Sequence, residues 1–113
     1  MWSKVIYKTS IKCSVLEVYV NVQRRGQHTL LATCDVELLG KILNDGKVVF
    51  EVRKEFYMGP KMSVEEAVDL MRQSTMVNMV GRNIVKKAIE NGLIHPEAVL
   101  EISGIPHAQI VKI

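Results

Sequence analysis

The sequence places a thiol next to a carboxylate at Cys34 and Asp35, directly before residues 36–40, which predict one short helical turn closed by glycine. A thiol beside a helix start can have a lowered pKa, which would make it nucleophilic. His107, near the end of the chain, is the side chain best able to transfer protons near neutral pH. Cys34, Asp35 and His107 are therefore the candidates for catalysis. A buried thiol, an aspartate that caps the turn and a structural histidine are the alternatives that need no reaction.

A second polar group interrupts an apolar segment at Asn78, Gly81 and Arg82. The segment from Met76 to Asn91 predicts a helix, so Asn78 would lie on or beside an apolar helix face and need a hydrogen-bond partner. Gly81 destabilises a helix unless something packs close to it or its backbone is needed free. These three residues are candidates for binding an anion at a helix start. A close contact between helix and sheet at Gly81 is the alternative.

His107 and Gln109 complete the candidate ligand-binding residues. They lie two apart in a predicted strand and therefore share one face, whereas Ala108 and Ile110 face the core. Pro106 restricts the chain where this strand begins. The pattern directs His107 and Gln109 toward a cleft or toward the helices, where an imidazole and an amide can orient a ligand by hydrogen bonds.

The basic charge is concentrated at the start of the sequence. The net charge is only +3, but in residues 1–33 the basic groups far outnumber the one acid, Glu17. Arg24 and Arg25 stand at the turn of a predicted hairpin and are the candidates for contact with nucleic acid, because phosphates attract such groups. A solvated basic end without a partner is the alternative.

No metal site and no cofactor are predicted. The histidines and cysteines lack the spacing of zinc ligands, and the sequence has neither a phosphate-binding glycine loop nor a dinucleotide fingerprint. The adjacent aromatic residues Phe56 and Tyr57 either stack on a planar group or anchor a loop to the core.

The hydrophobic pattern predicts about five strands and two main helices. Residues 16–23 and 28–34 are predicted to pair as an antiparallel hairpin, and further strands are predicted at 47–53, 98–103 and 107–112. Ser63 and Glu66 predict a capping box for the first helix, and the second helix covers the segment from Met76. This order predicts one small α+β domain over residues 1–113, with a mostly antiparallel sheet packed against two helices.

Cysteine usage and hydropathy indicate the compartment. Two cysteines do not form a disulfide scaffold, and lysines interrupt any apolar core of a secretory signal at the start. No stretch is long and apolar enough to span a membrane. We therefore expect a cytoplasmic protein in which Cys13 and Cys34 are reduced and not joined to each other.

The sequence resembles the archaeal family of uncharacterised proteins catalogued as domain of unknown function 424. The matching motifs are Cys34-Asp35 with Glu37-Leu38-Leu39-Gly40-Lys41, Phe56-Tyr57 with Gly59, Asn78 with Val80-Gly81, and Pro106-His107-Ala108-Gln109-Ile110. The resemblance spans residues 16–113 and leaves residues 1–14 as an N-terminal extension. It implies an archaeal source and a cytoplasmic location, and the label of predicted RNA-binding protein that some members carry implies a link to RNA.

Three functions stay open at this point. The first is a binding module associated with RNA, a ribonucleoprotein or the translation machinery, which would use Arg24 and Arg25. The second is a small enzyme that acts through Cys34, Asp35 and His107. The third is a protein–protein adaptor or homodimer, for which the six methionines and possible open sheet edges are the support.

Overall fold

The computed structural model describes residues 16–112, which form eight strands, three α-helices and two 3₁₀ turns. The elements are β1 (Glu17–Arg25), β2 (His28–Asp35), a 3₁₀ turn (Val36–Leu38), β3 (Ile42–Asn44), β4 (Val49–Glu51), α1 (Lys54–Tyr57), β5 (Lys61–Ser63), α2 (Val64–Arg72), β6 (Met76–Val80), α3 (Arg82–Glu90), a 3₁₀ turn (Pro96–Ala98), β7 (Leu100–Ile102) and β8 (Ile105–Val111). The predicted α+β class is confirmed. The predicted extension at residues 1–14 and the prediction for Cys13 lie outside the described residues.

Six of the described strands form one mixed sheet in the order β5-β1-β2-β6-β8-β7, and β3 pairs with β4 in a small separate sheet. The hairpin of β1 and β2 has the predicted antiparallel pairing, with Arg25 opposite His28 at its tip. The pairing of β2 with β6 is parallel, whereas the other pairings in the large sheet are antiparallel. The prediction of about five strands omitted β3 and β5, which are only three residues long, and β6, which was assigned to a helix.

The segment Met76–Val80 is a strand and not the first part of a helix, so the prediction of a helix from Met76 was wrong. The chain turns at Gly81, whose φ is 129°, and α3 begins at Arg82. β6 lies between β2 and β8, and Val77, Met79 and Val80 are buried. Apolar residue types also occupy its other face at Met76, which is exposed, so the segment is a nearly continuous apolar run and does not show the alternation of a half-exposed strand.

The two faces of the large sheet bury separate hydrophobic clusters. On one face, which we call the helix face, α2 and α3 pack on a cluster that includes Val20, Leu31 and Met79. On the other face, the segment of residues 36–57, which we call the cap, covers a second cluster around Cys34 and Val80. The cap covers only one end of this second face.

The first of the two main helices begins as the sequence predicts. The Ser63 hydroxyl accepts a hydrogen bond from the Glu66 amide, and the Glu66 carboxylate accepts one from the Ser63 amide. This capping box satisfies amides that lack partners within the helix.

Candidate functional site

The half of the second sheet face that the cap leaves uncovered is the candidate site, and we call it the open sheet face. Its residues alternate with those of the helix face along each strand. Each is at least partly exposed, and the set is Asn21, Gln23, Arg25, His28, Leu30, Met76, Asn78, Gln109 and Val111. None of the nine is acidic, so the face combines basic, amide and apolar groups without a carboxylate.

The hairpin tip brings basic groups to one end of this face. Arg25 pairs with His28 across the hairpin, and both are exposed. Within the part of the chain that the structure describes, neither Arg24 nor Arg25 makes a salt bridge. Arg24 lies on the opposite face, beside Leu70 and Ser74. The two arginines predicted for nucleic-acid contact are therefore both exposed, but only Arg25 belongs to the open sheet face.

Asn78 stands where the open sheet face meets the cap. Its register partner across β8 is Gln109, which is exposed on the same face. The hydroxyl of Tyr57, a buried residue of α1, donates a hydrogen bond to Asn78 Oδ1. His107 Nε2 lies 3.2 Å from the same oxygen. Asn78 thus has the hydrogen-bond partner that its sequence context required, although it lies on a strand and not on a helix.

Tyr57 is the one member of this group that the sequence did not single out as a site residue. Its segment is held close to β1, where a Cβ at Gly59 would meet the Val20 carbonyl oxygen at 2.0 Å. Asn21 Nδ2 also donates to the Phe56 carbonyl at 2.9 Å. The sequence signal was the motif Phe56-Tyr57 with Gly59, which was interpreted as a loop anchor or a stacking pair.

His107 and Gln109 share one strand face as predicted, but this face is turned away from α2 and α3. Ala108 and Ile110 pack toward the helices, so of the two predicted surroundings of His107 and Gln109, a cleft or the helices, the structure excludes the helices. The His107 ring packs against Phe50 of the cap with a centroid distance of 5.0 Å. Burial lowers the pKa of His107, so its neutral form is favoured.

A shallow depression adjoins His107 at the sheet edge. It has a volume of about 340 Å³ and is lined by Ala98, Leu100, His107, Ala108 and Gln109. Ligand pockets are typically of about 300–1,000 Å³, so the depression has room for a small planar group. It extends the open sheet face toward β7.

Cys34 does not have the properties of a nucleophile. It is a free thiol, fully buried beneath the cap, and burial together with the nearby carboxylates of Asp35 and Glu37 raises its pKa to about 12. Of the two interpretations of Cys34, the structure therefore supports the buried thiol and not the thiol with a lowered pKa, because apolar burial outweighs any effect of the short turn. Cys34 behaves as a small apolar residue of the second cluster.

Asp35 caps a helix, but not the turn that follows it. Its carboxylate oxygens accept hydrogen bonds from the amides of Asn83 at 2.9 Å and Ile84 at 3.1 Å, at the start of α3. A Cβ at Gly81 would meet this carboxylate at 2.3 Å. Gly81 therefore leaves space for the Asp35 carboxylate, which extends from the end of β2. The anion predicted to bind at this helix start is thus a side chain of the protein itself.

The remaining candidate residues, Asp35, Gly81 and Arg82, do not lie on the open sheet face. The Arg82 guanidinium lies 3.3 Å from the Gly104 carbonyl oxygen, to which it donates a hydrogen bond. Asp35 and Gly81 belong to the start of α3, whereas Asn78, His107 and Gln109 come together on the other side of the sheet. Within residues 16–112, no three His, Cys, Asp or Glu side chains are grouped so that they could hold a metal ion. None of the described helices is both long enough and apolar enough to cross a membrane.

Comparison with known proteins gives one family. Residues 22–113 match the sequence model of the family described as "Protein of unknown function (DUF424)". The chain belongs to this family. This DUF424 chain is also similar to a crystal structure of an uncharacterized conserved protein from Methanopyrus kandleri, at 26% identity and a TM-score of 0.71. The match covers 86% of the DUF424 chain and 94% of the other chain.

No curated protein matches this DUF424 chain. Neither of the two descriptions names a ligand or a reaction.

Proposed function

We propose that this protein is a cytoplasmic binding module for single-stranded RNA, which lies across the open sheet face. The observation that carries the proposal is a partly exposed sheet face that has amide, basic and apolar groups but no carboxylate. RNA is an anionic chain of planar bases, and a face without acids does not repel its phosphates. An association with the translation machinery would follow from such binding.

The arrangement offers the three kinds of contact that single-stranded RNA uses. At the hairpin tip, the exposed Arg25 guanidinium, which can also pair with a phosphate, and the His28 imidazole are planar groups on which unstacked bases can stack. In the middle of the face, Asn78 and Gln109 can form hydrogen bonds with base edges. Met76, which is 40% exposed, adds apolar surface between the two regions.

The catalytic alternative has less support. Cys34 is buried with a raised pKa, Asp35 is engaged by α3, and only His107 reaches the open sheet face. A nucleophile and its base must lie within hydrogen-bond reach of each other. No such pair joins these three residues within the described chain.

A homodimer through the open sheet face is the second candidate function. Val111 and Met76 expose 62% and 40% of their surface, and they are register partners across β8 and β6. Neighbouring apolar side chains of this kind are common at protein interfaces. Light scattering with and without RNA distinguishes the two functions, because RNA and a second copy of the chain would compete for the same face. A dimer formed through this face would either dissociate when RNA is added or prevent the RNA from binding.

The test compares two neighbouring arginines that differ in the face they occupy. Fluorescence anisotropy with a short single-stranded RNA is measured at several salt concentrations for Arg25→Gln and Arg24→Gln. Each variant loses one positive charge at the hairpin tip. We expect Arg25→Gln to weaken binding several-fold and to reduce the slope of log affinity against log salt by about 0.7, as for one lost phosphate contact. Arg24→Gln should change both quantities less.

Two outcomes of this test would contradict the proposal. Equal effects of the two variants would mean that the tip attracts RNA only by its net charge and that the open sheet face is not used. Absence of RNA binding by the unmodified protein would overturn the proposal. The double variant Lys41→Ala, Lys47→Ala removes exposed charge from the region of the cap and serves as the distant control.

A further inference from the structure

We infer that Asn78 reads a base by donating hydrogen bonds from its side-chain amino group to a keto oxygen, and that Tyr57 and His107 fix the direction of this amide. The inference rests on the proposed function and names the base chemistry that the open sheet face selects. In this account Asn78 contacts the base, whereas Tyr57 is a positioning residue that acts through it.

The buried hydroxyl of Tyr57 determines which way the amide points. Only 2% of Tyr57 is exposed, and a buried hydroxyl must donate its proton to an acceptor. Within the described residues, the hydrogen-bond partner of this hydroxyl is Asn78 Oδ1. If the amide were rotated by half a turn, Asn78 Nδ2 would face the hydroxyl and the proton of Tyr57 would have no acceptor. The oxygen of Asn78 therefore points toward the cap.

His107 supports the same orientation from the side. Its Nε2 lies 3.2 Å from Asn78 Oδ1, and a neutral ring protonated on Nε2 donates to that oxygen. The lowered pKa of His107 agrees with a neutral ring in this position. Both lone pairs of Oδ1 then have a donor, one from Tyr57 and one from His107.

The amino group of Asn78 is the part of the amide left for a ligand. Asn78 is partly exposed, and its Nδ2 has no hydrogen-bond partner among residues 16–112 and is not among the buried unpartnered atoms. It offers donors and no acceptor. Uracil and guanine present keto oxygens that accept from such donors, whereas an asparagine binds adenine by a paired contact in which its oxygen accepts from the adenine amino group and its nitrogen donates to a ring nitrogen. Asn78 cannot form this paired contact because its Oδ1 is already engaged by Tyr57 and His107. The fixed amide therefore favours uracil or guanine over adenine.

Gln109 is the neighbour that lacks this constraint. It is the register partner of Asn78 and is exposed, and side chains at such positions have Cβ atoms about 4.5–5.5 Å apart. Its amide can rotate to match either a donor or an acceptor. Selectivity between bases should thus depend on Asn78, and Gln109 should add affinity without preference.

The experiment compares oligouridylate with oligoadenylate of equal length, measured by fluorescence anisotropy at constant salt. We expect the unmodified protein to prefer oligouridylate by about tenfold, the size of discrimination that one well-placed set of base contacts gives. Asn78→Asp keeps the acceptor for Tyr57 and His107 but removes the amino donors, so the preference should disappear. Gln23→Glu places the same added negative charge elsewhere on the open sheet face and should weaken both ligands equally.

Tyr57→Phe tests the positioning role. It removes one hydroxyl and leaves His107 as the remaining partner of the Asn78 amide. A neutral imidazole can accept as well as donate at Nε2, so it no longer fixes the amide by itself, and we expect the preference to fall toward unity while the salt dependence of binding is retained. Circular dichroism checks that the variant is folded. If Tyr57→Phe does not fold, the Asn78→Asp result alone decides the inference.

The failures of the two proposals are distinguishable. If the unmodified protein binds neither oligonucleotide, the proposed function is wrong and the inference falls with it. If it binds both equally, or prefers oligoadenylate, the binding function stands and the assignment of the amide is overturned. If Tyr57→Phe lowers the affinity for both oligonucleotides equally and keeps the preference, Tyr57 only stabilises the cap.

Discussion

At the scale of single residues, Thr33 is a buried residue whose hydroxyl lacks a hydrogen-bond partner within residues 16–112. It is fully buried within β2, and its hydroxyl oxygen has no hydrogen-bond partner in the described chain. Because an unsatisfied buried hydroxyl opposes folding, we expect Thr33→Val to raise the free energy of unfolding by about 1 kcal/mol. Thr33→Ser, which keeps the hydroxyl and loses the methyl group, should lower it. Chemical denaturation measures both, and a destabilised Thr33→Val variant would show that the hydroxyl has a partner after all.

His107 gives the protein a pH-dependent contribution to stability. Its pKa in the folded protein lies below the ordinary 6.5 because of burial. As the pH falls through 6.5, the unfolded chain takes up a proton that the folded chain does not, so stability is lost toward acid. His107→Gln does not titrate and can still donate to Asn78. We expect the difference in Tm between the unmodified protein and this variant to shift in favour of the variant as the pH falls. A difference that does not change with pH would contradict the burial of His107.

At the scale of elements, the start of α3 depends on two residues that are distant in sequence. Gly81 has φ of 129° and no room for a Cβ beside Asp35. We expect Gly81→Ala to lower the free energy of unfolding by about 2–4 kcal/mol, since it adds both backbone strain and a clash with the helix cap. Gly92→Ala is the matched control at the end of α3. Gly92 also has positive φ, but nothing lies within 4 Å of an added Cβ. Gly92→Ala should therefore lower the free energy of unfolding by less than Gly81→Ala does.

A double-mutant cycle separates the two causes. In the Asp35→Ala background the clash at Gly81 is absent, so Gly81→Ala should cost less there than in the unmodified protein. Additive losses would mean that backbone strain alone accounts for the effect of Gly81→Ala.

The same elements show what the sequence could and could not predict. The hairpin of β1 and β2 and the capping box of α2 depend on local patterns, alternation in one case and Ser63 with Glu66 in the other, and both were predicted. The strand Met76–Val80 was not, because apolar residue types stand on both of its faces, Val77 and Met79 on one and Met76 and Val80 on the other, and hide the period of two. Asp35 was recognised as a helix cap, but its partner helix lies 48 residues away, which no local pattern encodes.

The candidate site was predicted in part for the same reason. Asn78, His107 and Gln109 were identified as polar residues in apolar segments, and the structure brings them together. Tyr57 was assigned to loop anchoring because its hydroxyl contacts Asn78 only after the cap folds over the sheet. Residue types can indicate that a partner is required, but the tertiary fold determines which residue supplies it.

At the scale of the whole molecule, the cap is the part that we expect to open most readily. Its small sheet leaves Ile42 and Val49 with 64% and 67% of their surface exposed, whereas β2 and β6 lie in the centre of the large sheet. Two-stranded sheets are marginally stable by themselves. We therefore expect the amides of β4 to exchange with solvent faster than those of β2 and β6 in hydrogen-exchange measurements. Equal protection would mean that the cap and the large sheet open as one unit.

The parallel pairing of β2 with β6 determines the order in which the chain can fold. The β1–β2 hairpin closes a short loop, but β6 can join β2 only after the whole intervening segment has been enclosed, as the separation of 46 residues between Thr29 and Thr75 shows. Closing a long loop is entropically unfavourable before its contacts form, and topologies rich in such contacts fold slowly. We expect the hairpin to form early and the central β2–β6 pair to limit the folding rate. Until that pair forms, Asn78 cannot meet Tyr57, whose helix packs on β1 and β2, so the proposed binding site is among the last features of the molecule to be completed.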